Sequence, residues 1–157
     1  MALLEGVAAP VFKALADGGE AISLKDFRGS WVALYFYPED DTPTCTAQAC
    51  TFRDGMHELK SFGITVIGVS PDDAAAHDRF VAKYDLNFRL VAEPKKTIIN
   101  KYDVWKLKKL YGHEHMGVVR TTYLIDPKGI IRKVWTNVRH AKHIQQLREA
   151  MTALESV

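Results

Sequence analysis

Residues 31–54 read WVALYFYPEDDTPTCTAQACTFRD, and the pattern in this segment changes from that of a strand to that of a helix. The aromatic and aliphatic run at 31–37 predicts a buried strand, and Pro38 ends it because a proline nitrogen cannot donate to a sheet. From Pro43 or Thr44 onward, apolar side chains recur at the spacing of one helical face: Cys45, Ala49, Phe52, Met56 and Leu59. We therefore predict a strand, a short turn and a helix, with Cys45 in the first helical turn.

Further strands are predicted on both sides of this unit. ITVIGVS (64–70) is a second buried run and RLVAE (89–93) is a weaker third. The segment 120–136 holds two strands around the turn signal DPKG (126–129), which has proline early and glycine late. Near the N-terminus, DGG (17–19) separates two short apolar pieces and predicts a small hairpin.

Helical patterns fall between these strands. Ser70 is predicted as the N-cap of a helix that has Pro71 at its first position, and its inner face would be Ala76, Phe80, Val81 and Tyr84. A last helix carries apolar residues at helical spacing: Ile144, Leu147, Met151 and Leu154. Alternating strands and helices, followed by a hairpin and a final helix, predict an α/β layer fold with a mixed central sheet, in a single domain over 1–157.

Composition narrows the classes of function. The chain has 157 residues, a net charge of +2 and no apolar run longer than 31–37, so nothing indicates binding to nucleic acid or to a membrane. The N-terminal segment MALLEGVAAP lacks a basic region and carries Glu5, Gly6 and Pro10, which is unlike a secretory signal and indicates the cytoplasm. In that compartment, paired thiols are more often catalytic or metal-binding than structural.

Cys45 stands where a thiol can be activated. A helix N-terminus offers unpaired backbone amides and a partial positive charge, which stabilise a thiolate. Thr42 places a hydroxyl three residues earlier, and Pro38 can shield the same place from water. The alternative interpretation is that Cys45 is only a small buried apolar residue, since any amphipathic helix needs a stripe of apolar side chains on its inner face.

Pro38, Thr42 and Cys45 form the pattern PxxxTxxC, which resembles the active-site motif of the peroxiredoxins. The surrounding YFYPEDDTPTCTAQACTFRD is similar to the bacterioferritin comigratory protein subfamily, also called peroxiredoxin Q. Downstream, KYDVWKLKKLYGHEHMGVVRTTYLIDPKG is similar to a second signature of that subfamily. The resemblance extends over about residues 5–150, which is nearly the whole chain.

The resemblance implies a thioredoxin-like fold and a thiol peroxidase that reduces hydrogen peroxide and organic hydroperoxides. Cys45 would be the peroxidatic cysteine that becomes a sulfenic acid, and Arg120 would be the active-site arginine. Cys50 would be the resolving cysteine, and thioredoxin or a similar dithiol reductant would reopen the intramolecular disulfide. Thr42 and Pro38 complete the implied catalytic set. No metal or organic cofactor is implied, and a monomer is favoured, with a dimer left open.

Two positions depart from the subfamily pattern. Thr44 stands where glycine is common before the cysteine, and Gln48 replaces a frequent glutamate. Neither is expected to touch a catalytic position, although Thr44 is expected to stiffen the start of the helix.

The spacing of the two cysteines carries a conformational hypothesis. On a regular helix, Cα atoms five residues apart are about 8.6 Å from each other, whereas a disulfide needs about 4.4–6.8 Å. Cys45 and Cys50 therefore cannot join until the first turns unwind. Gly55 is predicted to mark the place where unwinding stops.

Other functions and sites are weaker candidates. A thiol-disulfide oxidoreductase would need a CxxC pair, and a one-cysteine peroxidase with an external resolving thiol would leave Cys50 as a bystander. A non-catalytic chaperone or binding module is a further alternative. Zinc binding by both cysteines with His113 and His115 is disfavoured, because a single residue separates the histidines.

The six histidines and a basic stretch are the other polar residues of interest. His113 and His115 are placed in a loop at the rim of the site, whereas four others are expected on exposed helix or cap positions: His57, His77, His140 and His143. The basic stretch 95–109 is interpreted as a solvated face, with a docking surface for an acidic protein as the alternative. Trp105 lies within this stretch, and it is either a core residue or a contact residue of such a docking surface.

Overall fold

The computed structural model describes residues 3–155 as a mixed α/β structure. The strands are β1 (Lys13–Leu15), β2 (Ala21–Ser23), β3 (Trp31–Phe36), β4 (Ile64–Ser70), β5 (Arg89–Ala92), β6 (Trp105–Leu110), β7 (His113–Val118), β8 (Thr121–Ile125) and β9 (Ile131–Thr136). The helices are α1 (Pro43–Asp54), α2 (Met56–Ser61), α3 (Ala74–Tyr84), α4 (Thr97–Lys101) and α5 (His140–Glu155). That residues 1–157 form one domain stays a prediction, since both termini lie outside the described residues.

The strand that opens the 31–54 segment is the centre of a five-stranded sheet in the order β5-β4-β3-β8-β9. β3 pairs in parallel with β4, and β4 with β5, whereas β8 is antiparallel to both β3 and β9. In this register Tyr35 lies opposite Gly68 on β4 and opposite Thr122 on β8. The mixed central sheet predicted from the sequence is confirmed.

Alternate residues of β3 contribute to two cores on opposite faces of the sheet. One core joins β3 to α4 and the N-terminal segment, and it includes Val32, Leu34, Phe36, Ile98, Ile99 and Phe12. The other joins β3 to the larger helices, and it includes Ala33, Tyr35, Tyr37, Cys45, Phe52, Phe80, Leu147 and Met151. Cys45 is thus packed on the sheet face that α1, α3 and α5 cover.

Helix α1 begins where the sequence predicted. Thr42 is the N-cap in an extended conformation, and Pro43 fills the first helical position, where its missing N–H is not needed. The predicted apolar stripe is buried throughout, but it belongs to two helices because the helix is interrupted at Gly55. At Gly55 a Cβ would lie 2.9 Å from Cδ1 of Ile144, so glycine permits the close approach of α5.

The predicted N-terminal hairpin is β1–β2, and its turn is tied to the central sheet. Gly18 and Gly19 both have positive φ, which explains why glycine occupies the turn. The Asp17 carboxylate accepts hydrogen bonds from Nε of Arg89 at 3.1 Å and from the backbone N–H of Leu90 at 2.9 Å. The hairpin is therefore held against β5.

The start of α3 differs from the prediction. Asp73, rather than Ser70, is the N-cap, and its side chain accepts a hydrogen bond from the backbone N–H of Ala76 at 2.8 Å. Ser70 remains the last residue of β4, where its hydroxyl donates to Oδ2 of Asp72. The prediction was wrong because Ser and Asp are equally suited to an N-cap, and the buried strand extends through Ser70.

The segment before Arg120 holds two elements that the sequence did not predict, α4 and the β6–β7 hairpin. The hairpin pairs Trp105 with Val118 at its base and Leu110 with His113 at its tip. Its turn residues, Tyr111 and Gly112, both have positive φ. Within residues 3–155 no helix is long and apolar enough to cross a bilayer.

Candidate active site

Cys45 occupies the third position of α1 and is only 1% exposed. The Thr46 N–H donates to the Thr42 carbonyl at 2.8 Å, which is the first helical hydrogen bond. The amides of Thr44 and Cys45 therefore precede the helical ladder, at the end of the helix that favours negative charge. The location predicted for Cys45 agrees with the structure, both as a buried core residue and as a residue of the first turn.

Arg120 lies beside the thiol. It is in the link between β7 and β8, and its Nη2 donates to Sγ of Cys45 at 3.1 Å. The Arg120 carbonyl accepts a hydrogen bond from the Val138 N–H, which fixes the backbone at this point. Two residues that are 75 positions apart in the chain are thus brought into contact.

The second arm of the guanidinium is held by Gln48 of α1. Nη1 of Arg120 donates to Oε1 of Gln48 at 3.0 Å, and Gln48 is 2% exposed. The expectation that Gln48 touches none of the predicted catalytic residues is therefore wrong. A signal was present, because Gln48 follows Cys45 by one helical turn on the same helix.

Thr42 and Pro38 lie at the same end of the sheet, but neither makes a hydrogen bond with Cys45 in the described part of the chain. The Thr42 hydroxyl donates to the Glu39 carbonyl at 3.3 Å and does not cap the helix. Pro38 is half-buried just beyond β3. Direct action of either residue on the sulfur stays a prediction.

Cys50 shares α1 with Cys45 and is half-buried, and both thiols are free. Because α1 is regular from Pro43 to Asp54, residues five apart are held about 8.6 Å apart at their Cα atoms by helical geometry. While the helix is in this state, the two sulfurs cannot form a disulfide.

Aromatic rings pack in the same core as the thiol. Tyr35 stacks on Phe52 with ring centroids 4.6 Å apart and on Tyr37 at 5.3 Å. Burial raises the pKa of Tyr35, and the nearby Asp40 carboxylate acts in the same direction, so the phenol remains neutral. A Cβ at Gly68 would lie 2.9 Å from the Tyr35 ring, which explains the glycine in β4.

A second cation approaches the site from β6. Burial lowers the pKa of Lys108, and the charge of Arg120 lowers it further, while Cys45 acts in the opposite direction. The Lys108 stem passes over Gly117, where a Cβ would lie 2.9 Å from Cδ of the lysine. Lys108 therefore differs from exposed members of the basic stretch such as Lys95 and Lys101.

The loop that leads into α1 is fixed by a buried ion pair. Nδ1 of His77 lies 2.6 Å from Oδ2 of Asp40, and Nε2 lies 2.9 Å from the Val91 carbonyl oxygen. Burial by itself lowers the pKa of His77, but the hydrogen bond and charge of Asp40 outweigh burial and raise it. Asp72 accepts from the Asp40 N–H at 2.9 Å.

Two histidines expected to be solvated are buried. His77 is 0% exposed and His143 is 1% exposed, because each is held by partners from other elements. His143 lies with Nε2 2.9 Å from Oγ1 of Thr122, and burial lowers the pKa of this histidine. His57 is exposed and His140 is half-buried. His113 and His115 are exposed as expected, but they stand on β7 rather than in a loop.

Among residues 3–155, the side chains placed closely enough to share a metal ion are Asp40, Asp72 and His77. Neither cysteine belongs to this group. Both ring nitrogens of His77 and the Asp72 carboxylate already have protein partners. The cluster thus serves to fix the loop before α1.

The chain is similar to known proteins over most of its length. The AhpC/TSA family matches residues 6–134. A putative peroxiredoxin bcp of Coxiella burnetii is 42% identical over 147 residues, covering 94% of this chain and 97% of that protein. The peroxiredoxin Bcp of Bacillus subtilis is 40% identical over 141 residues, covering 90% of each chain.

A solved structure of the Xanthomonas campestris bacterioferritin comigratory protein superposes with a TM-score of 0.87 at 33% identity, covering 98% of both chains. This similarity confirms the thioredoxin-like peroxiredoxin fold. The chain belongs to the AhpC/TSA family and, within it, to the peroxiredoxins of the bacterioferritin comigratory protein or peroxiredoxin Q group, which are thiol peroxidases.

Proposed function

We propose that Cys45 is the nucleophile of a peroxidase cycle and that Arg120 stabilises charge during the reaction. The observation that carries this proposal is the 3.1 Å contact between Nη2 of Arg120 and Sγ of Cys45 at the start of α1. A guanidinium stays positively charged at any working pH, so it can stabilise both the thiolate and the oxygen that leaves.

The first step is a displacement at oxygen. The Cys45 thiolate attacks the terminal oxygen of the peroxide, an S–O bond forms and the O–O bond breaks. The other oxygen departs with the electron pair of that bond and takes up a proton to become water or an alcohol. Cys45 is oxidised to a sulfenic acid.

Positioning must supply most of the rate. An ordinary thiol with a pKa of about 8.5 is roughly 3% ionised at pH 7, so complete ionisation gains at most about thirtyfold. The nucleophilicity of each thiolate also falls as the thiol becomes more acidic. Groups that orient the peroxide and stabilise the leaving oxygen must therefore do more, and Arg120 is the residue placed to do so. Thr42 and the backbone amides near Cys45 are further candidates.

Cys50 is proposed as the resolving cysteine. Its thiol displaces water from the Cys45 sulfenic acid, and the two sulfurs join in a disulfide once the start of α1 unwinds. A dithiol reductant of the thioredoxin type then reduces this disulfide by thiol-disulfide exchange. The support is the placement of both free cysteines on one helix and the membership of the family.

The substrate class includes organic hydroperoxides as well as hydrogen peroxide. Support comes from the Xanthomonas campestris relative, which is described by its alkyl peroxide reduction activity. The cycle suits the cytoplasm expected from the sequence, where dithiol reductants keep thiols reduced. We retain a monomer as the expected state.

Mass spectrometry after one equivalent of hydrogen peroxide tests the cycle. The wild-type protein is expected to lose two hydrogen atoms as the disulfide forms, whereas Cys50→Ser gains one oxygen and Cys45→Ser does not change. With thioredoxin and excess peroxide, Cys50→Ser is expected to stop turning over and then to overoxidise. Full turnover of Cys50→Ser with thioredoxin alone would favour the one-cysteine mechanism. Oxidation of Cys45 at the rate of a free thiol would exclude a peroxidase.

A further inference from the structure

The oxygen that leaves during peroxide reduction needs a proton, and the Arg120 side chain is unable to give one. When the Cys45 thiolate attacks, the terminal oxygen of the peroxide keeps its hydrogen, and the other oxygen departs as hydroxide or an alkoxide. Hydroxide is a poor leaving group, because it is the conjugate base of water, whose pKa is about 15.7. A guanidinium stays protonated at any working pH, so Arg120 stabilises this charge without transferring a proton. An acid is therefore needed beside the arginine.

The β6–β7 hairpin directs Lys108 to this place. Lys108 is paired with His115 on β7, yet a Cβ at Gly117 would lie 2.9 Å from Cδ of the lysine. The lysine stem therefore leans along β7 towards the base of the hairpin, where the link that carries Arg120 begins. Gly117 does not have the positive φ that favours glycine, so its missing side chain is explained by the room that the lysine needs.

The ammonium of Lys108 is not used for a surface ion pair. Its neighbours on β6 have such partners, since Lys106 pairs with Asp103 and Lys109 pairs with Glu114. Lys108 is half-buried, and within residues 3–155 its ammonium forms no hydrogen bond and no ion pair. Placing an unpaired ammonium out of water and near a guanidinium is unfavourable for folding. Stability therefore does not explain the placement of Lys108.

Lys108 is also the more acidic of the candidate proton donors. Burial lowers the pKa of Lys108, and the charge of Arg120 lowers it further, while Cys45 acts in the opposite direction. Tyr35, which packs in the same core as Cys45, is a poor donor because burial raises its pKa. A general acid is most effective when its pKa lies near the working pH, so the change at Lys108 favours proton donation.

From this placement we infer that Lys108 is a further catalytic residue, the general acid that protonates the oxygen leaving during attack by Cys45. The S–O bond forms, the O–O bond breaks, and the departing oxygen takes both electrons of that bond and a proton from the Lys108 ammonium. The products are the Cys45 sulfenic acid, water or an alcohol, and a neutral amine that regains its proton from solvent. The inference rests on the proposed function, since it needs Cys45 as the nucleophile.

Three variants separate proton transfer from charge and from packing. Lys108→Met removes the proton, and Lys108→Arg keeps the positive charge but transfers no proton. Gly117→Ala fills the space of the lysine stem and displaces it. Lys109→Met is the matched control, because Lys109 is an exposed lysine on the same strand. Thermal unfolding of each variant checks that it is folded.

The choice of peroxide separates proton transfer from every effect on the thiol. The measurement is the second-order rate constant of the reduced protein, by stopped flow, with hydrogen peroxide, tert-butyl hydroperoxide and peracetic acid. Peracetic acid loses acetate, the conjugate base of a carboxylic acid with a pKa of about 4, so its leaving oxygen needs no proton. Each variant is compared with the wild type at the same pH, which cancels ionisation of the peroxide itself.

Loss of the general acid should depend on the leaving group. With hydrogen peroxide and tert-butyl hydroperoxide, Lys108→Met and Lys108→Arg are expected to react about a hundredfold more slowly than the wild type. With peracetic acid, both should stay close to the wild-type rate. Gly117→Ala should show a smaller loss with the same dependence on the peroxide, and Lys109→Met should match the wild type with all three.

The pH profile provides a second readout. The wild-type rate with hydrogen peroxide is expected to rise as Cys45 ionises and to fall again as Lys108 loses its proton, and Lys108→Met should lack the fall. The other charged and titratable groups around Lys108 are unchanged in this variant, so the alkaline limb is assigned to the lysine. These groups are Arg120, Cys45 on α1, His113 and His115 on β7, and Lys106 on β6.

Three results would overturn the inference. One is a Lys108→Met rate with hydrogen peroxide equal to that of the wild type. Another is an equal loss with peracetic acid, which would show that Lys108 acts on the thiol or on the fold. The third is a wild-type rate for Lys108→Arg, which would show that the charge alone matters. All three leave the proposed function intact, whereas wild-type protein whose Cys45 is not oxidised, or a fast Arg120→Met protein, would contradict that function instead.

Discussion

Arg120 provides the sharpest test at the scale of single residues. Arg120→Met removes the charge and the 3.1 Å contact to Cys45 while keeping an unbranched side chain. We expect the rate of peroxide reduction to fall by about two orders of magnitude or more, as when one oxyanion donor is lost. Stopped-flow measurement of the first oxidation isolates this step from reduction of the disulfide.

Arg139→Met is the control for this experiment, because Arg139 is exposed just before α5. It should react with peroxide at the wild-type rate. Binding of the reductant should change little in either variant. A near wild-type rate for Arg120→Met would show that the arginine is not part of the reaction.

Single residues also show what the sequence could not reveal. Cys45 could be assigned from its neighbours in the chain, because the turn and the helix start are local features. The burial of His77 and His143 could not, because their partners Asp40 and Thr122 are 37 and 21 residues away. Gln48 is the intermediate case, since its turn on α1 was predictable and its contact with Arg120 was not.

At the scale of secondary-structure elements, α1 is attached to α3 at both ends. Before the helix, Asp41 accepts hydrogen bonds from Nζ of Lys83 at 2.7 Å and from the Tyr84 hydroxyl at 2.8 Å. In its last turn, Nη1 of Arg53 donates to the Tyr84 carbonyl at 2.7 Å. Both cysteines lie between these attachments, so the segment that must rearrange is bounded on each side.

Hydrogen exchange should reveal this bounded rearrangement. On forming the Cys45–Cys50 disulfide, the amides of residues 45–54 are expected to exchange much faster, because the first turns must open for the sulfurs to meet. The β4 amides at 64–70 serve as the internal control and should stay protected in both redox states. Equal protection of α1 in the reduced and oxidised proteins would contradict the hypothesis.

The elements differ in how far the sequence revealed them. The buried strands β3 and β4 were found at or near their observed bounds, because continuous apolar runs ended by turn residues are strong signals. The β6–β7 hairpin was missed because its lysines dominated the segment, although Trp105 and Leu107 alternate with Lys106 and Lys108 as in a half-buried strand. Its turn uses Tyr111 with φ of 51° rather than the asparagine or aspartate typical of such turns.

At the scale of the whole molecule, the buried histidines make stability depend on pH in opposite senses. Burial lowers the pKa of His143, so the unfolded chain takes up a proton near pH 6.5 that the folded protein does not, and stability falls as the pH decreases below about 6.5. The pKa of His77 is raised by Asp40, against the effect of burial. The contribution of His77 to the stability of the folded protein is complete below about pH 6.5, and it is lost as the pH increases through the raised pKa.

His143→Asn is expected to reduce the loss of stability in acid. Urea unfolding at about pH 7.5 and about pH 5.5 should give a smaller difference in the free energy of unfolding for this variant than for the wild type. His57→Asn, at an exposed position of α2, should keep the wild-type difference. A His143→Asn difference as large as that of the wild type would assign the acid sensitivity to other groups.

The sequence predicted the class of the whole fold but not the order of its strands. Alternation of strands and helices was enough for a mixed α/β sheet. The neighbours of β3, however, are β4 and β8, and the pairing with β8 joins residues that are far apart in the chain, such as Val32 and Ile125. That pairing places Arg120 beside α1, so the family resemblance, rather than the local pattern, identified the arginine.

The adjacent residues Asp40 and Asp41 have a consequence for how the protein responds to ionic strength. Asp40 and His77 are 6% and 0% exposed, whereas Asp41 and Lys83 are 42% and 58% exposed. At 1 M salt the Debye length is about 3 Å, so dissolved ions screen the exposed pair strongly. The buried pair is screened much less, because the ions cannot reach it. Concentrated electrolyte therefore loosens one of two neighbouring attachments at the start of α1 and leaves the other, so its effect on helix opening should reach a limit rather than grow without bound.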